Sequence, residues 1–259
     1  MRILCCVKRV PAPGARINVT ADGQAVETAH LGFTTSPHEE CAVEEAVQIT
    51  ERMGGEVTVL TVGPPEAEEQ LRYAASVGCH RLVLVPTDGS ALDPQRTASV
   101  ITDAVQSLEA EGGEFDLILF GNESADSGGF QVGIRVAKAL GRPMINGIKD
   151  IEVEPYAIVA RRPVDAGVEV YRLPRPAVLG VKEGLNLPRY PTMKGRLASK
   201  RAEVGRLEIE ADAGAQTLVR LRRPEEQVST TEILGHSPAA AAAVVDLLEE
   251  LGLLPGATS

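Results

Sequence analysis

The sequence predicts an α/β protein: a doubly wound, mostly parallel sheet with an antiparallel extension and an extended C-terminal arm. Three observations carry this. Short apolar runs alternate with amphipathic stretches through the first 140 residues, with short connections between them. After Met144 the pattern changes to brief strand-like runs separated by turns. The chain is 44% hydrophobic but only 3% aromatic, with no Trp, so its core must be built from Val, Leu, Ile and Ala, which suits a buried parallel sheet under Ala-rich helices.

The elements follow in order. Residues 3–7 form a short apolar run that reads as a buried strand, closed by Pro11, Pro13 and Gly14. Ser36-Pro37-His38-Glu39 announces a helix over 37–53: Ser36 is placed to cap, Pro37 suits the first helical position, and Glu39 can close a capping box. Gly54-Gly55 stops it. A strand at 57–62, a turn at Gly63-Pro64-Pro65, and a helix at 66–77 ending on Gly78 repeat the pattern. It repeats again with a strand at 81–85 and a helix from Asp93-Pro94 to about 111. A strand at 117–120 leads into a polar, glycine-rich loop at 121–133, and a helix from about 130 to 140 ends at Gly141-Arg142-Pro143.

Beyond that, 148–153, 157–162, 168–173 and 177–181 read as strands. The stretch 186–205, with Pro188, Pro191 and Gly195, reads as an exposed irregular arm; 207–227 has no clear pattern; Ser237-Pro238 begins a final helix over 239–251 with a buried Ala, Val and Leu face. This organisation gives an α/β domain over 1–185, an arm over 186–206, and a C-terminal segment over 207–259.

Charge and cysteine usage exclude several classes. A net charge of −10 argues against nucleic acid as partner. The arm is the exception: Arg189, Lys194, Arg196, Lys200, Arg201 and Arg206 against the single acid Glu203 give it +5 and leave −15 elsewhere. Such a run is either a solvated face or a docking arm for an acidic partner. Cys5, Cys6, Cys41 and Cys79 form no C-x-x-C pair and no His stands at ligand spacing, so no metal site is expected. Reduced thiols and an N-terminus without a signal pattern fit the cytoplasm, and no apolar stretch approaches the ~20 residues a membrane span needs.

Ligands of open α/β sheets bind beyond the carboxyl ends of the strands. Three loops are expected to converge there, after Val7, after Val62 and after Phe120. The third, Gly121-Asn122-Glu123-Ser124-Ala125-Asp126-Ser127-Gly128-Gly129-Phe130-Gln131-Val132-Gly133, follows a strand and opens a helix, where small residues and free amides can meet a phosphate. It is neither a P-loop nor G-x-G-x-x-G, so a plain connecting loop and a nucleotide loop both stay open. The four histidines are scattered, and no nucleophile elbow or telling carboxylate pair appears, so no catalytic set emerges.

The chain resembles the beta (small) subunits of electron transfer flavoproteins. The likeness rests on five collinear segments. Ile3-Leu4-Cys5-Cys6-Val7-Lys8-Arg9-Val10-Pro11 is similar to the family's first strand, and Ser36-Pro37-His38-Glu39-Glu40-Cys41-Ala42-Val43-Glu44-Glu45-Ala46 to its N-P-x-x-x-x-A-x-E-x-A helix start. Residues 57–65 resemble its second strand and turn, and 161–179 its turn with Pro before an apolar strand. Asn186-Leu187-Pro188-Arg189-Tyr190-Pro191-Thr192 resembles its N-x-P-R-Y-P-T/S. The resemblance implies a Rossmann-like, adenine-nucleotide-binding fold and a heterodimer with an alpha subunit that holds most of one FAD. It implies structural AMP in this subunit, lined by Cys6, Ser36, Val62, Gly63 and the loop 121–133. Pro13 and His38 would stand near the alpha-bound FAD. Met193, in the position of the family's hydrophobic plug, would dock a flavin dehydrogenase with Lys194, Arg196 and Lys200, and electrons would go on to a quinone reductase or another acceptor. The final helix would pack on the alpha subunit.

Departures are Ser36 for the usual Asn and Ser127-Gly128-Gly129 for the family's acids or Gly-Asp-Thr. The bifurcating relatives, which use NADH and a second FAD in place of AMP, typically carry Asp-Gly-Asp-Thr in this loop; its absence favours AMP. A blander alternative is a nucleotide-binding stress or signalling protein of similar fold.

Overall fold

The computed structural model describes residues 1–89, 92–210, 214, 216–224 and 231–254. Contacts divide the chain into two units, Met1–Leu221 and Arg222–Ser259.

The first unit opens with β1 (Arg2–Cys6), followed by a small pair, β2 (Val10–Pro11) and β3 (Phe33–Thr34), and then α1 (Pro37–Met53). The helix begins where the sequence places it: the Glu39 carboxylate accepts from the Ser36 backbone N at 3.3 Å, satisfying a donor the helix cannot reach. Next come β4 (Glu56–Gly63), a single 3-10 turn, α2 (Glu68–Val77), β5 (Arg81–Pro86), α3 (Pro94–Gly112) and β6 (Leu117–Gly121). Asp93 caps α3, accepting from the Gln95 and Arg96 amides. Then follow α4 (Val132–Leu140), β7 (Met144–Ile148), an antiparallel meander of β8 (Asp150–Val153), β9 (Ala157–Val164) and β10 (Gly167–Pro174), and β11 (Ala177–Val181). A short α5 (Met193–Ser199) and β12 (Val204–Arg206) complete the unit's regular elements.

Seven strands form one sheet in the order β12-β5-β4-β1-β6-β11-β7, and each neighbouring pair is parallel. The chain steps outward from β1 through β4 to β5, then returns on α3 to place β6 on the other side of β1. The order therefore reverses between β1 and β6, and a crevice opens at their carboxyl ends. Both faces of the sheet are covered. Ile3 and Cys5 of β1 point into a core with α1 and α2, while Leu4 and Cys6 point into a second core with α3 and α4. The meander is held along its length by ion pairs, Arg162 to Glu169 and Arg172 to Glu154 among them.

Four expectations need correction. Met144–Ile148 is a parallel edge strand and not merely the lead into the antiparallel region. The helix expected from about 130 begins at Val132, because Phe130 sits at φ +53, outside helical geometry. The arm over 186–205 is not irregular throughout: the Thr192 hydroxyl caps α5 by accepting from the Gly195 amide at 3.0 Å, and β12 adds a strand beside β5. The final helix, α6 (Ala240–Glu250) in the second unit, has no buried residue, so its expected buried face is exposed, with Val244, Val245 and Leu247 at the surface.

α5 packs on α2. Arg72 Nη1 donates to the Ser199 and Ala202 carbonyls at 2.9 and 3.0 Å, and Gly195 faces the Ser76 carbonyl so closely that a Cβ would overlap it. Ala is the better helix former by up to ~1 kcal/mol, but the overlap with a backbone atom decides the sign. Gly195→Ala should destabilise the protein by about 1–3 kcal/mol and loosen α5, which urea unfolding and hydrogen exchange of residues 193–199 will read.

Candidate functional site

The crevice between β1 and β6 gathers three segments. From the loop after β1 comes Lys8, whose Nζ pairs with Asp126 at 2.6 Å, bridging to the loop after β6. From the start of α1 come Ser36, His38 and Glu39. The Ser36 hydroxyl donates to the Glu123 carbonyl at 3.4 Å, and Glu39 Oε2 accepts from the Lys8 amide at 3.1 Å. From β6 comes the 121–133 loop. Gly63, the last residue of β4, and Pro64 after it lie at the same carboxyl edge: Pro64 approaches Gly89 after β5, and Pro94 at the start of α3 approaches Gly129.

His38 is held on both ring nitrogens. Nδ1 accepts from the Glu183 amide at 2.8 Å, and Nε2 lies 3.4 Å from Glu123 Oε1. An accepting Nδ1 places the proton on Nε2, which fixes the neutral tautomer and the ring plane. Hydrogen bonding from Lys8 keeps Asp126 ionised: burial pushes its carboxyl up, but the Lys8 ammonium, Ser124 and the Ser127 amide together hold it below the ordinary carboxylate range. Burial pushes the Cys6 thiol well up, with Glu39 adding to the effect, so this cysteine is an inert lining group.

The loop glycines divide by role. A Cβ on Gly121 would sit 2.8 Å from Glu39 Cγ, so this glycine lets α1 approach β6. A Cβ on Gly133 would sit 2.9 Å from Met144 Cε and 3.1 Å from the Phe120 ring, so this one seats α4 against the sheet. Gly128, at φ +53, makes the turn. Within the loop, the Asn122 amide bonds the Val181 carbonyl, the Ser127 amide its neighbour Asp126, and the Gly128 amide the Ser124 carbonyl. The amides at the start of α4, Val132 and Gly133 among them, have no intrahelical partner by position, and Gln131 gives them no side-chain cap. These donors and the helix dipole are what a phosphate would meet.

Of the residues chosen from sequence, Cys6, Ser36, Val62, Gly63 and 121–133 stand at the carboxyl edge of the sheet, and His38 joins them. Pro13 stands on an exposed turn after β2. Met193 is 73% exposed at the start of α5, with Lys194, Arg196 and Lys200 exposed beside it, and Leu187, Tyr190 and Leu197 extend the apolar surface. The basic run is not uniformly free: Arg189 pairs with Glu44 and Glu51, and Arg206 with Glu68. Sequence reasoning passed over Lys8 and Glu183, which enter through long-range contacts, held Glu123 only as one residue of the 121–133 loop, and read Glu39 only as a cap. A separate hollow between α1 and α2, lined by Val43, Gln70, Tyr73 and Val77, holds none of the chosen residues. Among the described residues no cluster of His, Cys, Asp or Glu could hold a metal ion, and no helix is long and apolar enough to cross a membrane.

Fold and crevice together define a doubly wound α/β protein with a crevice where its strand order reverses. Comparison with known proteins narrows this. A family model described as the electron transfer flavoprotein domain matches residues 25–212. The electron transfer flavoprotein subunit beta of Bacillus subtilis is 33% identical over 212 residues, 79% of this chain and 80% of that one. The subunit of the same name in Bradyrhizobium diazoefficiens is 31% identical over 239 residues, 91% of each chain, and that of Mycobacterium tuberculosis 32% identical over 221 residues, 83% of this chain and 81% of that one. The chain belongs to the electron transfer flavoprotein beta-subunit family.

Proposed function

We propose that this chain is the small subunit of a cytoplasmic, heterodimeric electron carrier, holding structural AMP in the β1/β6 crevice beside an alpha subunit that carries most of the FAD. The observation that supports this reading is the start of α4, whose amides Gln131 leaves without a side-chain cap, next to the small residues of the 121–133 loop at the carboxyl edge of the sheet, chemistry that suits an adenylate phosphate. The bound flavin supplies the redox chemistry. This chain's residues bind and orient: His38, fixed by Glu183 and Glu123, presents a ring of set orientation toward the alpha-bound cofactor, and the arm from Asn186 to Arg206 receives a flavin dehydrogenase such as an acyl-CoA dehydrogenase. A quinone reductase or another acceptor takes the electrons onward. The final helix, whose apolar side chains are exposed, packs on the alpha subunit.

The test is the absorption spectrum and ligand count of the pair copurified from its natural source. One FAD and one AMP per pair is expected. Two FAD and no AMP would replace this reading with a bifurcating flavoprotein fed by NADH, and a colourless pair would overturn both. For the arm, Met193→Ala should slow dehydrogenase-dependent reduction about tenfold, the effect of removing a docking side chain worth ~1–2 kcal/mol, with flavin content unchanged. Loss of flavin with normal docking would refute that role.

A further inference from the structure

The hollow between α1 and α2 lies outside the crevice, at the foot of the arm. Val43 of α1 and Ala74 and Val77 of α2 give it apolar walls, and Pro188 and Arg189 of the arm border it. Its cavity volume is about 10 Å³, room for one water-sized group.

Two acceptors in this apolar setting lack a match. Gln70 is 3% exposed, and its Oε1 is sealed from solvent without a hydrogen-bond partner among the described residues. A buried amide oxygen left in this state is costly, and a turn about the last, soft torsion of the side chain presents it to the hollow. Glu40, in the first turn of α1, accepts from the Thr35 hydroxyl at 3.3 Å, and no Lys, Arg or His pairs with it among the described residues. Burial pushes its carboxyl up, and only the Thr35 hydroxyl opposes this. Glu44 and Arg189 also line the hollow, but they are paired with each other. Glu40 is therefore the uncompensated charge of the lining.

We propose that this hollow receives a lysine side chain of the flavin dehydrogenase that docks on the arm, its ammonium meeting Glu40 and Gln70 and its methylene stem lying along Val43, Ala74 and Val77. The inference rests on the docking role of the arm and adds to it a second contact of opposite sign.

Chemistry selects the occupant. A water would satisfy Gln70 and leave Glu40 without a counter-charge. An acid would meet the like charge of Glu40. Arginine brings a planar fork of five donors, too broad for one water-sized space; lysine brings a compact ammonium with three donors on an unbranched apolar stem. Continuity selects its source. Pro188 and Arg189 belong to the arm. Burial, then the charges of Glu40 and Tyr190, push the Tyr73 hydroxyl up, so Tyr73 of the lining stands close to Tyr190 of the arm. A protein seated over Tyr190 and Met193 reaches the mouth of the hollow. The exposed Lys194, Arg196 and Lys200 call for acids on that protein. A lysine set beyond those acids finds its match at Glu40 and fixes the orientation of the docked pair.

The experiment uses the complete pair with its dehydrogenase and follows flavin reduction at steady state. Glu40→Gln, which keeps the side chain's shape, should raise the KM for the carrier about five- to tenfold with kcat and flavin content unchanged, and Glu40→Lys should raise it further. A carbodiimide joins a carboxylate to a neighbouring amine as an amide and takes up the lost water as its urea. Applied to the wild-type carrier mixed with the dehydrogenase, it should link Glu40 to a dehydrogenase lysine, which mass spectrometry of the joined peptides identifies. An unchanged KM in both Glu40 variants, the result when a single water fills the hollow, overturns the inference. A link from Glu40 only to Lys194 or Lys200 of this chain, or only to the alpha subunit, overturns it too, even where a variant fails to fold. If Met193→Ala slows reduction and the Glu40 variants do not, the lysine site falls and the docking arm stands; if none of the three slows it, both fall.

Discussion

Glu39→Gln should make the protein more stable than wild type, and the advantage should widen as pH rises. The folded protein holds this carboxyl protonated to about pH 8, whereas the unfolded chain ionises it near its ordinary 4.5. With the folded value raised, the contribution is fully present below about 4.5 and is lost as pH climbs toward 8, because the unfolded state releases a proton that the folded state keeps. The accumulated loss is roughly 3–5 kcal/mol at the alkaline end, and Gln, which cannot ionise, escapes it. Urea unfolding of wild type and variant across this range should give curves that run together near pH 4.5 and separate by pH 8. Parallel curves would show that the carboxyl does not titrate as its burial demands.

The second large effect lies at the root of the arm. Glu44 is nearly sealed from water, its side chain 4% exposed, and Arg189 reaches it with Nε at 2.9 Å and Nη2 at 3.0 Å while Nη1 and Nη2 also grip Glu51. Burial raises the Glu44 carboxyl, but the hydrogen bonds from Arg189 and Gln48 outweigh it and hold the group below its ordinary value. Arg189→Ala would leave that carboxylate with Gln48 and the backbone amide of residue 189, and with no positive charge beside it. Breaking a buried pair costs about 3–5 kcal/mol; Arg189 is about a third exposed, so solvent screening brings the expectation to about 2–3 kcal/mol. Adding Glu44→Gln should recover part of the loss, since it removes the stranded charge. Urea unfolding measures the stability, and hydrogen exchange at residues 187–190 should rise as the arm comes free. No change in either would deny the pair a structural role.

Much of this molecule was legible in its residues because the signals were local. Ser36-Pro37 and Asp93-Pro94 mark helix starts by cap chemistry alone, and the Val- and Leu-rich runs of β4, β5 and β6 are too apolar to lie anywhere but between two layers. β7 escaped because Asn146 and Gly147 interrupt an edge strand only five residues long. α5 escaped because a seven-residue helix holding Gly195 has almost no propensity of its own; it exists through Thr192 at its start and Arg72 across the gap from α2. The exposed face of α6 has the same origin in reverse, since an amphipathic pattern states that a side wants covering and not what covers it. In the crevice, the position of the glycine-rich loop after β6 was readable from strand and helix order. The Lys8–Asp126 bridge and the His38–Glu183 contact span 118 and 145 residues, and no spacing rule reaches that far.

The arm is fastened along its length, by the Arg189 clamp near its start, by the close seat of Gly195 on α2, and by Arg72 and β12 toward its end. Its main chain therefore surrenders its freedom when the protein folds, not when another molecule arrives. What stays adjustable is the rotamer set of Met193, Leu197 and the neighbouring lysines, so visitors of different contour can be met on one rigid platform by side-chain rearrangement alone.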